Sequence, residues 1–481
     1  MAFMALVPFF FFIRKKTLKE VLLGSYIAAL IWSTGTVYWI GWATVAGAIG
    51  TLIVYPIYFV LFALLLHWTL KFWGEKAFWM TPVIWTAIEM ITASGQLAFP
   101  WNIIGYSQSY YRYPIQFASL TGVYGISIWI ILINVLFYQV LKHRKGKFSR
   151  YIFSLIVLYL VPWIHGLFAL PENRPEINRT VALIQGNIDP RKKWTPAFID
   201  SNFVIYHDLT EQSHRFSPDL IIWPETATPC YLRYRYSYLQ KVKDQIDSLN
   251  VPLLTGTPDY VWIDENHFAV YNAALLLRPK SWEVELYYKQ NLVPFSERVP
   301  FVDQIPFLYN LAARMDLDIG SYAPGHSTGI FSINPGTTNA FRFSTIICFE
   351  SVFPYLVRKF MANGAQFLVI ITNDGWFGNT AGPYQHAQMA IFRAIENRTW
   401  IARCANTGIS MFIDPSGKVV SRTRLNQKST LVHQIGLQDN RSFFNRHGEW
   451  IIYIVYGEFL IILIMTAVKS VLSKYLKIRH S

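Results

Sequence analysis

Cysteine is scarce in this sequence: Cys230, Cys348 and Cys404 are the only three among 481 residues. An odd, widely spaced set makes no disulfide framework, and no His/Cys cluster has the spacing of a metal site. Charge is scarce too. Charged residues make up 15% of the chain, against about 25% in an ordinary soluble domain, while 53% are hydrophobic. That deficit argues against a purely soluble chain and points to lipid contact. Phosphate-cradling glycine loops are missing as well: there is neither a Walker loop nor G-x-G-x-x-G, and no internal repeat. No cofactor or metal is expected, so any chemistry must come from side chains.

Acidic residues are the rarer sign, 29 against 43 basic, for a net charge of +14. Position explains the excess. Arg14, Lys15, Lys16 and Lys19 follow the first apolar run, and Lys71 and Lys76 follow another. Lys142, Arg144, Lys145, Lys147 and Arg150 form a third cluster, and Lys469, Lys474, Lys477 and Arg479 close the chain. These cations flank apolar runs and account for the whole excess, so nucleic-acid binding needs no separate appeal. They read as topology signals.

A membrane-crossing helix needs about 20 mostly apolar residues. Runs at 20–41, 44–70, 77–93, 116–141, 151–170 and 449–468 qualify. The opening MAFMALVPFFFFI is too short to span, and its basic cluster follows the apolar run, unlike a signal peptide. It reads as the stump of a span or as a re-entrant piece. If the spans alternate, all four basic clusters face the cytoplasm, and the long segment before the last span faces outward. Glu89 and Glu458 fall inside apolar runs. Intramembrane acids are functional candidates by default, although each can also simply face a neighbouring helix or an interface.

Residues 172–446 differ. Short apolar runs recur there: TVALIQ (180–185), DLIIW (219–223), VPLLTG (251–256), FSTIICF (343–349) and QFLVIIT (366–372). Their length and Val/Ile content predict buried strands. GPYQHAQMAIFRAIENR places Ala387, Ala390, Ile391, Ala394 and Ile395 on one helical face. The reading is a polytopic helical membrane bundle (1–171), an α/β domain (172–446), and a last membrane helix with a basic tail (447–481).

Three strand-like runs lead to reactive residue types. DLIIWPE ends at Glu225, ELYYKQNLVPFSE carries Lys289 and Glu297, and FSTIICFE ends with Cys348 and Glu350. Sites in α/β sheets gather at the carboxyl ends of strands, so these ends can converge. A free thiol has a pKa of about 8.5, so a nucleophilic cysteine needs a base to take its proton and a cation to stabilise negative charge. Glu225 suits the first role, Lys289 the second, and Glu297 and Glu350 suit orientation. Taken singly, each residue has a plainer reading. A lone cysteine in an apolar run is most often a small core residue, and a lone Glu or Lys at a strand end is usually solvated. Cys230 and Cys404 keep the plainer reading.

The motifs WPETATP (223–229), KQNLVPFSERVPF (289–301), CFESVFP (348–354) and TNDGWFGNTAGPYQHAQMAIFRAIENR (372–398) together resemble apolipoprotein N-acyltransferase, of the carbon-nitrogen hydrolase (nitrilase) superfamily. FPWNIIGYSQ (99–108), GVYGIS (122–127), VALIQGNI (181–188) with Lys193-Trp194, Tyr271-Asn272, and RCANTGIS (403–410) extend the likeness along nearly the whole chain. The resemblance implies a nitrilase-like, four-layer α-β-β-α sandwich joined to the membrane bundle. It implies a Glu225–Lys289–Cys348 triad supported by Glu297 and Glu350. It places Trp194 and Asn272 near the acyl-binding site, Phe349 after the nucleophile where the family often has Tyr, and Gly105 on the membrane face. The family usually has eight spans, of which this chain lacks the first and part of the second.

The implied reaction has two steps. Cys348 takes a fatty acyl group from a phospholipid, typically phosphatidylethanolamine, as a thioester. The α-amine of an apolipoprotein's N-terminal S-diacylglyceryl-cysteine then accepts it. The implied setting is a bacterial inner membrane, with the catalytic domain in the periplasm. The stretch WFGNTAGPY (376–384) reads equally as a mobile lid or a packed loop. The triad alone also fits a membrane-tethered nitrilase-type amidase that passes the acyl group to water. A non-catalytic, lipoprotein-binding membrane protein is a further alternative. The membrane motifs and the presence of every triad member favour the acyltransferase.

Overall fold

The structure is a computed structural model describing residues 1–143, 147–171, 177–302, 304–305, 307, 322–448 and 450–479. Arg144 and Lys145 lie outside the described residues, as do the side chains of Lys474, Lys477 and Arg479. The chain divides into two compact units. One comprises Met1–Tyr38, Ala48–Leu170 and His447–Ser481, and the other Trp39–Gly47 and Pro171–Arg446.

The first unit is helical. Among the described residues, five stretches are long and apolar enough to cross a membrane: Leu18–Val37, Val45–Thr92, Ala118–Lys142, Phe148–Phe168 and Trp450–Ser473. Thr17 starts the first of these with a capping box, its hydroxyl accepting the Glu20 N–H while Glu20 reaches back to the Thr17 N–H. The expected span at 77–93 is shorter in the structure. Gly74 turns the chain with φ of 54° into a 3₁₀ stretch (Gly74–Met80), and Pro82 opens a helix of only 12 residues, Thr81–Thr92. The expected span at 20–41 also stops earlier, at Val37. The opening apolar run forms a short helix, Val7–Ile13, that buries Phe10 and Ile13 among aromatic side chains from Phe59 to Tyr138.

Glu89 is buried inside this unit and fastens it. Its Oε1 accepts the Trp85 indole N–H at 2.8 Å and the Ile104 N–H at 2.7 Å. That second bond anchors the 3₁₀ turn Ile104–Gln108, which carries Gly105. The Gly105 N–H donates to Ser127 Oγ at 3.2 Å, and a Cβ at Gly105 would lie 2.7 Å from the Val123 carbonyl oxygen. The GYSQ motif is therefore a turn pressed against a helix, and only glycine permits that approach. Glu458 instead stands on the exposed face of the helix Trp450–Arg479.

Among the described residues, the second unit holds two six-stranded sheets. The first runs β12-β1-β2-β3-β4-β5, built from β1 (Asn178–Gln185), β2 (Leu220–Ile222), β3 (Leu253–Trp262), β4 (Phe268–Leu277), β5 (Val284–Tyr288) and β12 (Ser429–Gly436). The second runs β11-β10-β9-β8-β7-β6, with β6 (Ile330–Ile333), β7 (Phe341–Ile347), β8 (Phe367–Thr372), β9 (Ile401–Ala405), β10 (Met411–Ile413) and β11 (Val419–Arg422). Each sheet has three parallel central strands, β1-β2-β3 and β7-β8-β9, flanked by antiparallel neighbours. All five predicted runs are strands, and their continuous apolar character reflects burial on both faces.

The sheets meet face to face. The Cys404 thiol donates to the Ile222 carbonyl of the opposite sheet at 3.2 Å, which makes Cys404 a core residue. Helices Pro196–His214 and Tyr236–Leu249 cover the first sheet through Phe203, Tyr206, Val242 and Ile246. Helices Pro354–Ala362 and Gly382–Asn397 lie against the second. The result is a four-layer α-β-β-α sandwich, with the carboxyl ends of β2, β7 and β8 leading into the candidate site.

Candidate active site

The first carboxylate follows β2. After Ile222 the chain turns through Trp223 and Pro224, and Gly256 of β3 donates its N–H to the Pro224 carbonyl at 3.2 Å. A Cβ at Gly256 would sit 2.6 Å from the Glu225 Cα, so glycine is required for the turn to press so close. Thr226 has a left-handed φ of 47°, and the buried Lys193 ammonium grips it, donating to its carbonyl at 2.7 Å and its hydroxyl at 2.5 Å. Burial pushes Lys193 down to about 7, and the Glu225 charge offsets this only in part. Glu225 is thereby held from both sides. Its Oε1 accepts Asn272 Nδ2 at 2.8 Å, and its Oε2 accepts the Asn373 N–H at 2.8 Å.

Lys289 follows β5. Its backbone N–H donates to the Asn272 carbonyl at 2.9 Å, so β4 and β5 place the two residues side by side. Its Nζ lies 2.8 Å from Glu297 Oε1 and 3.6 Å from Glu225 Oε1. Burial alone would lower this lysine, but the Glu297 and Glu225 carboxylates overcome it and hold the ammonium well above the ordinary lysine range. The Glu297 carboxylate is tied in turn to Asn272 Nδ2 at 3.2 Å and to the Val293 N–H at 2.8 Å. Asn272 thus bridges both acids.

Cys348 stands at the end of β7 with a left-handed φ of 52°, uncommon and strained for a non-glycine residue. It is 9% exposed, at the limit of burial. Burial, reinforced by the Glu225 charge, pushes its thiol well up, and Lys289 opposes that without reversing it. That direction favours the protonated thiol, so nucleophilic attack by this sulfur would call for a base. Glu350 sits directly beneath. It is fully buried, and its carboxylate accepts the Tyr287 hydroxyl at 2.6 Å and the N–H groups of Gln290 at 2.6 Å and Ile347 at 2.8 Å. Burial raises its pKa. Glu350 therefore pins the Lys289 loop to the end of β7.

The structure thus gathers Glu225, Lys289, Cys348, Glu297, Glu350 and Asn272 at one place. Asn272 Oδ1 and Asn373 Nδ2 are buried there without a hydrogen-bond partner, an acceptor and a donor left over beside the acids. Phe349 is buried edge-on against Phe353, at 5.2 Å. Trp194 is 40% exposed, with the Lys193 ammonium 5.4 Å from its ring. Gly105 belongs to the helical unit described above. The stretch at 376–384 is anchored by Phe377, whose ring packs 4.4 Å from Trp39, while Trp376 and Tyr384 are exposed. A buried thiol, a carboxylate and a fixed ammonium are the kinds of group that acyl transfer through a covalent intermediate calls for.

Residues 180–443 match the carbon-nitrogen hydrolase family, and residues 1–136 match the apolipoprotein N-acyltransferase N-terminal domain. An apolipoprotein N-acyltransferase of Chlorobaculum tepidum is 32% identical, over 93% of this chain and 87% of its own. That of Geobacter metallireducens is also 32% identical, over 89% of this chain and 82% of its own. That of Pasteurella multocida is 27% identical over 96% and 90%. The chain belongs to the apolipoprotein N-acyltransferase family.

Several parts of this candidate site are not evident from the sequence. In the sequence Lys193 stands out only as the neighbour of Trp194. Little in the sequence singles out Tyr287, Asp374, His386 or Arg403, all of which are buried. The signal available was polarity inside apolar runs: Arg403 interrupts IARCA, and His386 lies on the buried face of its helix. Atoms of Cys348, Asp374 and His386 lie within 4.8 Å of one another, but the Arg403 guanidinium already occupies Asp374 Oδ2 at 2.8 Å. That donor set is engaged by the protein itself.

Proposed function

We propose that this membrane enzyme moves a fatty acyl group from a phospholipid to the N-terminal amine of diacylglyceryl apolipoproteins, using Cys348 as nucleophile. The observation that carries the reading is the meeting of Cys348, Glu225 and Lys289 in a chain of this family. In the first half-reaction Glu225 takes the thiol proton as Sγ attacks the ester carbonyl carbon of the donor. Negative charge develops on the carbonyl oxygen, and the Lys289 ammonium stabilises it. The carbon–oxygen bond then breaks. The leaving lysophospholipid takes the proton back from Glu225, and a thioester remains.

In the second half-reaction the α-amine of the S-diacylglyceryl-cysteine attacks the thioester. Glu225 removes the amine proton and returns it to the Cys348 sulfur as the carbon–sulfur bond breaks. The product is a triacylated lipoprotein, and the kinetics are ping-pong. Phosphatidylethanolamine is the proposed donor. The proposed setting is the bacterial inner membrane, with residues 172–446 as a periplasmic catalytic domain tethered by 1–171 and 447–481. Cations flanking the apolar stretches, such as Arg14, Lys71 and Lys142, support that orientation. Trp194, Phe349 and Gly105 are proposed substrate-contacting positions.

Intact-mass spectrometry after incubation with phosphatidylethanolamine tests this. The expected result is a gain of one fatty acyl group, released by hydroxylamine and absent in Cys348→Ala. A folded sample that gains no such mass, or an adduct that persists in Cys348→Ala, would overturn it.

A further inference from the structure

Behind Cys348 lies a second polar array that the proposed chemistry does not use. His386, on the helix Gly382–Asn397, is fully buried. Its Nδ1 is 2.8 Å from Asp374 Oδ1, and Asp374 follows directly on β8. The Asp374 carboxylate also accepts the Thr372 hydroxyl at 2.9 Å and Arg403 Nη2 at 2.8 Å. Burial alone would raise this acid, but Arg403 and His386 hold it well below the ordinary carboxylate range. Arg403 is itself fixed by the Ile409 carbonyl at 2.6 Å. One edge of the imidazole is therefore clamped.

The other edge meets the nucleophile's backbone. His386 Nε2 lies 3.1 Å from the Cys348 carbonyl oxygen and 2.9 Å from Ser351 Oγ. Ser351 spends its single proton on that same carbonyl, at 2.8 Å. A proton on Nε2 therefore serves the Cys348 carbonyl and the Ser351 oxygen, while Nδ1 faces Asp374 Oδ1 at 2.8 Å and Arg403 Nη2 at 3.1 Å. Ser351, His386 and Asp374 have the connectivity of a hydrolytic triad, but Ser351 is sealed from solvent. The array has nothing to attack. What it does hold is a carbonyl belonging to a residue with φ of 52°, a conformation that persists only where the surroundings over-determine it.

We propose that His386 is a positioning residue for the nucleophile: braced by Asp374 and Arg403, it grips the Cys348 carbonyl and keeps Cys348 in its left-handed conformation. This rests on Cys348 being the nucleophile. A small displacement of a reacting atom costs about a hundred-fold in rate, which sets the size of the expected effect.

The test uses the full-length protein with three readouts: kcat for acyl transfer, KM for the phospholipid, and the rate of iodoacetamide labelling at Cys348, followed by peptide mass. His386→Leu should lower kcat and the labelling rate together, by about a hundred-fold, with KM within about two-fold. His386→Gln keeps an N–H for the carbonyl and should recover about ten-fold of both losses. Met389→Ala, a buried change on the same helix, serves as the packing control. Should His386→Leu fail to fold, His386→Gln is read against that control, and it should label about ten-fold more slowly at matched Tm. Wild-type labelling in a folded His386 variant, equality with the control, or a loss confined to KM would overturn the inference. Failure of the underlying reading looks different: Cys348→Ala would keep the acyl adduct.

Discussion

The Lys289 ammonium is held by Glu297, at 2.8 Å, and stands farther from Glu225, at 3.6 Å. The two acids therefore divide their work. Glu297 is the direct counter-ion of the ammonium, and Glu225, farther from it, is the acid proposed to exchange a proton. Glu297→Gln should weaken the hold on the ammonium and slow thioester formation by about a hundred-fold, the scale of losing one oxyanion donor. Rapid quench of the acyl-enzyme measures it. A rate within two-fold of wild type would contradict the assignment.

Glu225 also acts on the thiol through its charge. The Cys348 thiol is held above the ordinary cysteine range by burial and by Glu225. A raised pKa means less thiolate at any given pH, so alkylation of Cys348 should still be climbing above pH ~9, about ten-fold per unit. Glu225→Gln removes a charge that disfavours the thiolate, so its alkylation profile should move to lower pH while turnover collapses. A wild-type plateau below pH ~8 would be inconsistent with a neutral resting thiol.

Tyr287 and Glu350 form the buried bond beneath the site. Tyr287→Phe removes one donor from a carboxylate that has no access to water. Hydrogen bonds to charged groups contribute about 1.5–3 kcal/mol, so the variant should lose stability on that scale. A thermal melt of the purified protein gives the comparison, and an unchanged Tm would show that the bond contributes nothing.

Gly256 offers a test of backbone fit. A methyl group at this position would lie 2.6 Å from the Glu225 Cα and from the Thr226 nitrogen. The turn must move, and Glu225 moves with it. Gly256→Ala should lower kcat by about a hundred-fold while the thiol still alkylates. Retained turnover would mean that the turn yields without disturbing the base.

Much of this was legible because burial writes itself into composition. Strands covered on both faces, such as FSTIICF and QFLVIIT, read as unbroken apolar runs, and the reactive residues stand just past their ends. β9 was not legible as a strand, because Arg403 and Cys404 interrupt the apolar signal in IARCA. Its arginine is tolerated inside only because Asp374 meets it, and nothing local joins residues 374, 386 and 403. The pairing of β1 with β12 is likewise set by the fold and not by any neighbouring residue. The segment Trp39–Gly47 looks like the end of a span, yet Trp39 packs at a tilt against Phe377 and donates its indole N–H to Gln385 at 3.0 Å. Aromatic content alone does not say whether a tryptophan faces lipid or protein.

We propose that an acyl group passes from Cys348 to an amine. The most direct test is a chase of isolated acyl-enzyme. The protein is loaded from phosphatidylethanolamine, freed of lipid, and mixed with a diacylglyceryl-cysteine peptide or with buffer alone. The acyl mass should leave the enzyme and appear as an amide on the peptide, much faster than it is lost in buffer. Equal loss in both mixtures, with free fatty acid as the product, would contradict it and make the enzyme a hydrolase.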